Sequence, residues 1–433
     1  SVTAAGLNAM TLKNAYESTF IDPYTKNKKS YLVYKKSDAP APEEVFVCKF
    51  EDSKTSNITA QNTAAKVENA NDGQLRTYRL AVATTGEYAQ FHLTQQGVAE
   101  TETEAVKKEA VLSAIVTTMT RVNGIFERDV ALTMVLVDKN TDIIFLDGVI
   151  DNFTNDDSQE LINESQTVIN SIIGTNNFDI GHTFSTGGGG LAQLNSPCTF
   201  TGKARGITGS PNPIGDAYDI DYVSHEMGHQ FGARHTFNAE TGSCGGNRSA
   251  ATSVETGSGS TIMAYSGICA PQNVQIFADA YFHYVSIQEM WANITAGNSS
   301  ECGTLSDTNN NTPIVESLEN YTIPVSTPFA LKANASDEDG DLLTYTWEQI
   351  DTEATAYPLV STATVGPAFR SLIPNEDPER TFPNMSTVLG GNTANEWEVL
   401  PSVSRTMTFA VTVRDNNDNG GQTASDETVI TFT

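Results

Sequence analysis

The sequence predicts an α/β domain built on a mostly parallel sheet, followed by an all-β sandwich. Three observations predict it. Strands and amphipathic helices alternate between about 76 and 184, a metal-ligand spacing occupies one helical stretch at 225–235, and strand-like alternation takes over after about 312. At 433 residues the chain has room for two or three domains, and its composition divides it at 1–72, 73–305 and 312–433.

Within the first region, 16–24 and 30–36 alternate like strands, and a polar run rich in alanine and asparagine, 53–72, reads as an exposed, cuttable linker. Residues 77–84 form a strand. Residues 102–126 place Val106, Ala110, Ile115, Met119, Val122 and Phe126 at spacings of three to five, one apolar face of a helix. A strand at 131–137 follows, then a helix at 158–173 with Leu161, Ile162, Val168, Ile169 and Ile172 inward, then a strand at 178–184. The glycine run 187–190 lacks the Gly-Lys-Ser/Thr ending of a phosphate loop. It reads as an edge strand at which Gly190, Leu191 and Ala192 receive an extended peptide, with a flexible turn as the plainer alternative. In the last region 329–335, 342–347 and 405–414 alternate as sandwich strands. Between them Asp337, Asp339 and Asp341 offer carboxylates for calcium, with Asp415 and Asp418 as partners, although acidic glycine turns are also common without a metal.

The chemistry concentrates at His225-Glu226-Met227-Gly228-His229-Gln230-Phe231-Gly232-Ala233-Arg234-His235. Histidines four apart project from one helical face, where both imidazoles reach one ion. A catalytic zinc takes three protein ligands and keeps one position open, so the third must come from beyond that turn. Gly232 can take the positive φ that ends the helix and brings His235 back to the same ion. Glu226 is then the general base and acid of a hydrolysis. The acidic segment 216–224 has the character of a helix start. A methionine, Met263, follows His235 by 28 residues, with Tyr265 just beyond as an oxyanion partner or a wall of the cleft. His92, His182 and His283 lie outside the pattern and read as structural.

Acidic residues outnumber basic ones 53 to 25, a net charge of −28, which argues against nucleic-acid or anionic-membrane partners. No 18-residue apolar run predicts a membrane span, and residues 1–6 lack signal-peptide character, which leaves room for a leader already removed. The expectation is an extracellular monomer acting on proteins and peptides. Four of the five cysteines surround the histidine pattern. Cys244 and Cys269 bracket the approach to Met263 and are favoured as one disulfide, leaving Cys198 with Cys302, though four cysteines allow three pairings. Cys48 stands apart.

Residues 75–303 resemble the reprolysin or adamalysin branch of the metzincins. The resemblance rests on Asp179-Ile180-Gly181-His182-Thr183, Gly189-Gly190-Leu191-Ala192 with Cys198 six residues on, the zinc pattern through Thr236, and Ile262-Met263. It implies zinc-dependent cleavage of internal peptide bonds, a five-stranded upper subdomain, and Met263 as the floor beneath the ligands. Two departures stand out. Thr261-Ile262-Met263-Ala264-Tyr265 is closer to bacterial relatives and to astacin-like and serralysin-like enzymes, and the first strand lacks the glutamate that looks to calcium in many reprolysins, having Arg79 nearby. Residues 1–72 resemble the tail of a propeptide, which makes Cys48 a zinc-binding cysteine switch that inhibits the enzyme from within; the plainer reading is a buried thiol. Residues 312–433 resemble the cadherin-like or PKD-like modules of secreted bacterial peptidases. The rival from another class is an adhesion protein that keeps the metal-site scaffold; retention of Glu226 speaks against it, since a structural zinc needs no base.

Overall fold

The computed structural model describes residues 1–3, 5–11, 18–25, 27–39, 48, 69–187 and 189–433. Most of the expected linker, the residues flanking Cys48 and Gly188 lie outside the described residues.

Near the N-terminus β1 (Thr19–Pro23) and β2 (Tyr31–Lys35) pair antiparallel, with Phe20 opposite Tyr34 and fully buried. The central sheet begins with β3 (Gln74–Thr84), followed by α1 (Gly86–Gln96) and α2 (Glu104–Val130). Threonine side chains start both helices: Thr85 accepts from the Tyr88 N–H and Thr103 from the Val106 N–H. Next come β4 (Leu132–Leu136), α3 (Ser158–Ile169), β5 (Ile180–Ser185), β6 (Gly190–Ala192), β7 (Gly206–Gly209), α4 (His225–Phe231), α5 (Tyr284–Ala296) and β8 (Thr304–Asp307).

Strand β3 runs parallel to β4 on one edge and to β5 on the other, and β5 runs parallel to β7. Strand β6 is antiparallel to β7 and, among the described residues, is the last strand of the sheet at that side. The sheet is therefore mixed and mostly parallel, as the alternation predicts, but it has six strands rather than five. The extra strand, β8, pairs antiparallel with the first four residues of β3. Its four residues are all exposed, so no apolar alternation announces it. The predicted inward set of α3 also needs correction. After Ile169 the chain widens into a π-helical turn, Asn170–Gly174, which shifts the face by one residue: Ile173 is buried and Ile172 is exposed.

Under the sheet, Ile115, Met119, Val122 and Phe126 of α2 share one core with Val82, Met227, Phe231 and Met263. Phe126 and Phe231 rings lie 5.8 Å apart, so α2 backs directly onto the helix that carries the histidines.

C-terminal to the sheet lie β9 (Tyr321–Ile323), β10 (Phe329–Lys332), β11 (Thr344–Gln349), β12 (Glu379–Phe382), β13 (Arg405–Arg414) and β14 (Thr423–Phe432). They form a four-stranded sheet, β9-β14-β13-β11, and a β10-β12 pair, which share a core of Trp347, Phe369, Phe382, Met407, Phe409 and Phe432. Asp337, Asp341 and Asp415 bring ligand oxygens within 4.8 Å of one another. Asp339 does not join them: Gly340 turns with φ +78°, and Asp339 accepts from the Asn311 N–H and Nδ2 instead. The converging carboxylates already take hydrogen bonds from Asp339, Asp341, Asn417, Asn310 and Gln422, so the expectation of calcium at Asp337, Asp339 and Asp341 gains no support.

Candidate metal centre

The acidic segment before the histidines does more than start a helix. Ala217–Ser224 forms π-helical turns that run straight into α4, and its carboxylates are used in ion pairs. Asp219 is buried against Arg121 (2.6 Å) and the Thr118 hydroxyl (2.7 Å). Burial pushes its carboxyl up while Arg121 pulls it back. Arg121 also holds Asp22 of β1 at 2.6 Å, which ties the N-terminal hairpin to α2.

His225 and His229 face the same side of α4. Gly232 then ends the helix with φ +119°, its N–H bonded to the Gly228 and His229 carbonyls. A Cβ there would lie 2.6 Å from Asn195 Oδ1, so the position excludes other residues on space as well as on conformation. The same turn places the Ala233 carbonyl 2.7 Å from His229 Nδ1 and returns His235 to the cluster.

The three Nε2 atoms converge: His229 Nε2 lies 3.1 Å from those of His225 and His235. Two nitrogens bound tetrahedrally to zinc at about 2.0–2.1 Å lie about 3.3 Å apart, so the donor set fits that ion. Each Nδ1 faces a backbone carbonyl 2.7 Å away, of Ile262, Ala233 and Asn247 respectively, which points each Nε2 lone pair inward. Burial pulls His225 down to about 4 and the other two well below their usual value, which keeps all three neutral, the form that binds metal.

Cys48 completes the group. Its Sγ lies 4.0 Å from His235 Nε2, and the four donor atoms lie within 4.8 Å of one another. Cys48 is fully buried, forms an isolated parallel bridge with Gly190 at the outer edge of β6, and accepts the Tyr265 hydroxyl on its carbonyl at 3.1 Å. Glu226 is fully buried beside it. Burial pushes the Glu226 carboxyl up, to about 8, and the Cys48 side chain pulls it back. Leu191 and Ala192 are buried in β6. The Tyr265 ring sits 4.6 Å from that of His235 and 5.6 Å from that of His225.

Met263 is fully buried under α4, and Gly228 makes room for it. Residues outside the motif also shape the site. Glu255 accepts the hydroxyls of Thr236 and Thr261 and the N–H groups of Ser260 and Thr261, tying the strand after His235 to the methionine turn. Gln230 bonds His182 Nδ1 (2.8 Å), the Gly181 carbonyl and Ser196, fixing α4 to β5. Burial pulls His182 down to about 4. The only sequence signal for Gln230 is its place in the motif, and Glu255 has none. Disulfides join Cys198 to Cys302 and Cys244 to Cys269. Arg79 pairs with Asp179 at 2.7 Å.

The family model for reprolysin-like proteins of metallo-peptidase family M12B matches residues 74–291, half of the chain. No curated protein matches, and no solved structure does. With the matched span enclosing all three converging imidazoles and Glu226, the chain belongs to the reprolysin-like members of metallo-peptidase family M12B and is a zinc metallopeptidase.

Proposed function

We propose that this zinc metallopeptidase is a secreted endopeptidase whose first 72 residues are a propeptide that holds it latent through Cys48. Residues 73–305 are its catalytic domain and 312–433 a sandwich module of cadherin-like or immunoglobulin-like type. The observation that carries the reading is the single buried cluster of His225, His229, His235, Glu226 and Cys48.

The Nε2 atoms of His225, His229 and His235 would hold zinc, which would supply Lewis acidity toward a carbonyl and a water. The chain supplies the rest. Glu226, one residue from His225 on the same helix, takes the proton from the attacking water on its carboxylate and delivers it to the leaving amine. The outer edge of β6, at Gly190, Leu191 and Ala192, pairs with an extended substrate and aligns its scissile bond. Tyr265 directs its hydroxyl into the same space, where it can donate to the developing oxyanion. In the uncut chain that hydroxyl is taken by the Cys48 carbonyl, and Cys48 itself bridges Gly190, so the segment blocks strand edge, donor and ligand position together. The two disulfides accord with an oxidising compartment, and among the described residues no helix is long and apolar enough to cross a membrane.

The test is hydrolysis of denatured casein before and after limited proteolysis between 53 and 74, with Glu226→Ala and a zinc chelator as controls. Activity that appears on cutting and vanishes in both controls is expected. Zinc-loaded chain that cleaves nothing in any form would instead support a binding scaffold.

A further inference from the structure

The N-terminal segment makes a further buried contact twelve residues before Cys48. Lys36, 7% exposed, points its ammonium into a cradle of Asp216, Asp221 (3.1 Å) and the Ala278 carbonyl. The Ala278 N–H donates to the other oxygen of Asp221 at 3.2 Å, which fixes that carboxylate in place. Asp216 is 5% exposed, its carboxylate is aimed at the Lys36 ammonium, and its Oδ1 takes no hydrogen bond among the described residues. A cavity of about 590 Å³, lined by Lys36, Phe277, Asp279, Tyr281, Thr344 and Asn416, opens beside the lysine.

Two carboxylates and a carbonyl around one position are the oxygen donors of a hard-cation site, and the lysine ammonium stands there as a cation already seated. Lys36 belongs to the segment that cleavage would release, whereas Asp216, Asp221 and Ala278 belong to the catalytic domain. Once Lys36 leaves, two buried carboxylates face each other without a counter-charge, a strongly destabilising state. The adjoining cavity supplies room for waters to complete a coordination shell.

We propose that Asp216, Asp221 and the Ala278 carbonyl form a second metal site of the mature enzyme, held in the uncut chain by the Lys36 ammonium and taken on its departure by a divalent cation of the calcium type. The donor set is oxygen only, which separates this site from the zinc centre with its three imidazoles. It follows that calcium and the N-terminal segment compete for one place, so calcium promotes release of the segment after cutting.

The exchange rests on the reading of residues 1–72 as a propeptide, but the site can be tested without it. Lys36→Ala in the full-length, uncut chain empties the cradle, and calcium binding is measured by equilibrium dialysis at pH 7.5 against wild type. One additional calcium per chain is expected, with Kd on the order of 10⁻⁴ M, and Asp216→Asn in the Lys36→Ala background should remove it. Equal calcium binding by Lys36→Ala and wild type overturns the site, as does an extra calcium that persists in the double variant. If Lys36→Ala fails to fold, the same dialysis is run on wild-type chain cut in 53–74 and freed of its N-terminal fragment, where absence of the additional calcium has the same force. Latency lost or kept on cutting is read separately by casein hydrolysis, so failure of the propeptide reading and failure of the cation site give different results.

Discussion

Single residues set the geometry of the centre. Gly228 lies between the two helical histidines, and a Cβ there would meet Met263 Sδ at 2.5 Å and Cε at 3.3 Å. Alanine would favour the helix by about 1 kcal/mol, but overpacking a closed core costs about 1–3 kcal/mol, and both residues are buried with nowhere to retreat. Gly228→Ala should therefore lose on the order of 1 kcal/mol in urea unfolding and weaken zinc binding, because Met263 adjoins Ile262, whose carbonyl orients His225. Cys48 gives the complementary case. Cys48→Ala leaves the three imidazoles and their carbonyl partners intact, so it should keep one zinc per chain while showing casein hydrolysis without cutting. Unchanged latency in that variant would mean that the thiol is not the switch and that the backbone contacts of residue 48 with Gly190 and the Tyr265 hydroxyl suffice.

Among the elements, the loop that carries His235 is held from several sides, and most of those holds are illegible in the sequence. Glu255 is fully buried and takes four hydrogen bonds from Thr236, Ser260 and Thr261. Glu255→Ala strands those donors, at about 1–3 kcal/mol for each one left buried, and should lower zinc affinity by about 10–100-fold, the range for loss of groups that support metal ligands. Competition with a chromophoric chelator measures it, and an unchanged affinity would refute the role. What the sequence shows is what local spacing encodes. Val106, in the first turn of α2, is exposed, whereas the histidine pattern, the strands β3, β4 and β5 and the apolar face of α2 from Ala110 onward all read correctly. The π-helical turn after Ile169 did not, because one added residue per turn leaves composition unchanged while moving Ile172 out and Ile173 in. Strand β8 did not, because its side chains are all exposed. Arg121, Asp22 and Asp219 escaped notice because partners about 100 residues apart leave no local pattern.

Across the whole molecule, the C-terminal sheets are fused to the catalytic domain through a buried polar contact. Arg414 of β13, fully buried, donates to Asp129 at the end of α2 (2.8 Å) and to the Phe282 carbonyl (2.9 Å). Glu348 of β11 accepts the Tyr284 N–H at 2.8 Å and the Tyr281 hydroxyl at 3.3 Å, beside His283. A second seam reaches the zinc-site loop: Arg248 and Ser253 donate to the Thr352 carbonyl, and Asn238 donates to the Glu353 carbonyl. A chain ending at 311 would leave Asp129 with Arg128 alone and the Phe282 carbonyl without its donor, and should unfold at lower urea than the full chain. The same contact predicts how stability varies with pH. Burial pushes the Glu348 carboxyl up to about 8 from its usual 4.5, so the folded state holds that proton more tightly than the unfolded chain does. Its contribution is fully present below about pH 4.5 and is lost as pH rises through 8, a change on the order of 5 kcal/mol if the whole raise is expressed. Asp279 and Asp415, each pushed up to about 6 by burial, act in the same direction at lower pH. Stability should therefore fall between about pH 4.5 and 8, and Glu348→Gln, which keeps the shape and cannot ionise, should flatten that fall. Urea unfolding of both chains at pH 6, 7.5 and 9 decides it: parallel declines would mean that Glu348 is ionised throughout and that Arg414 alone balances the interface.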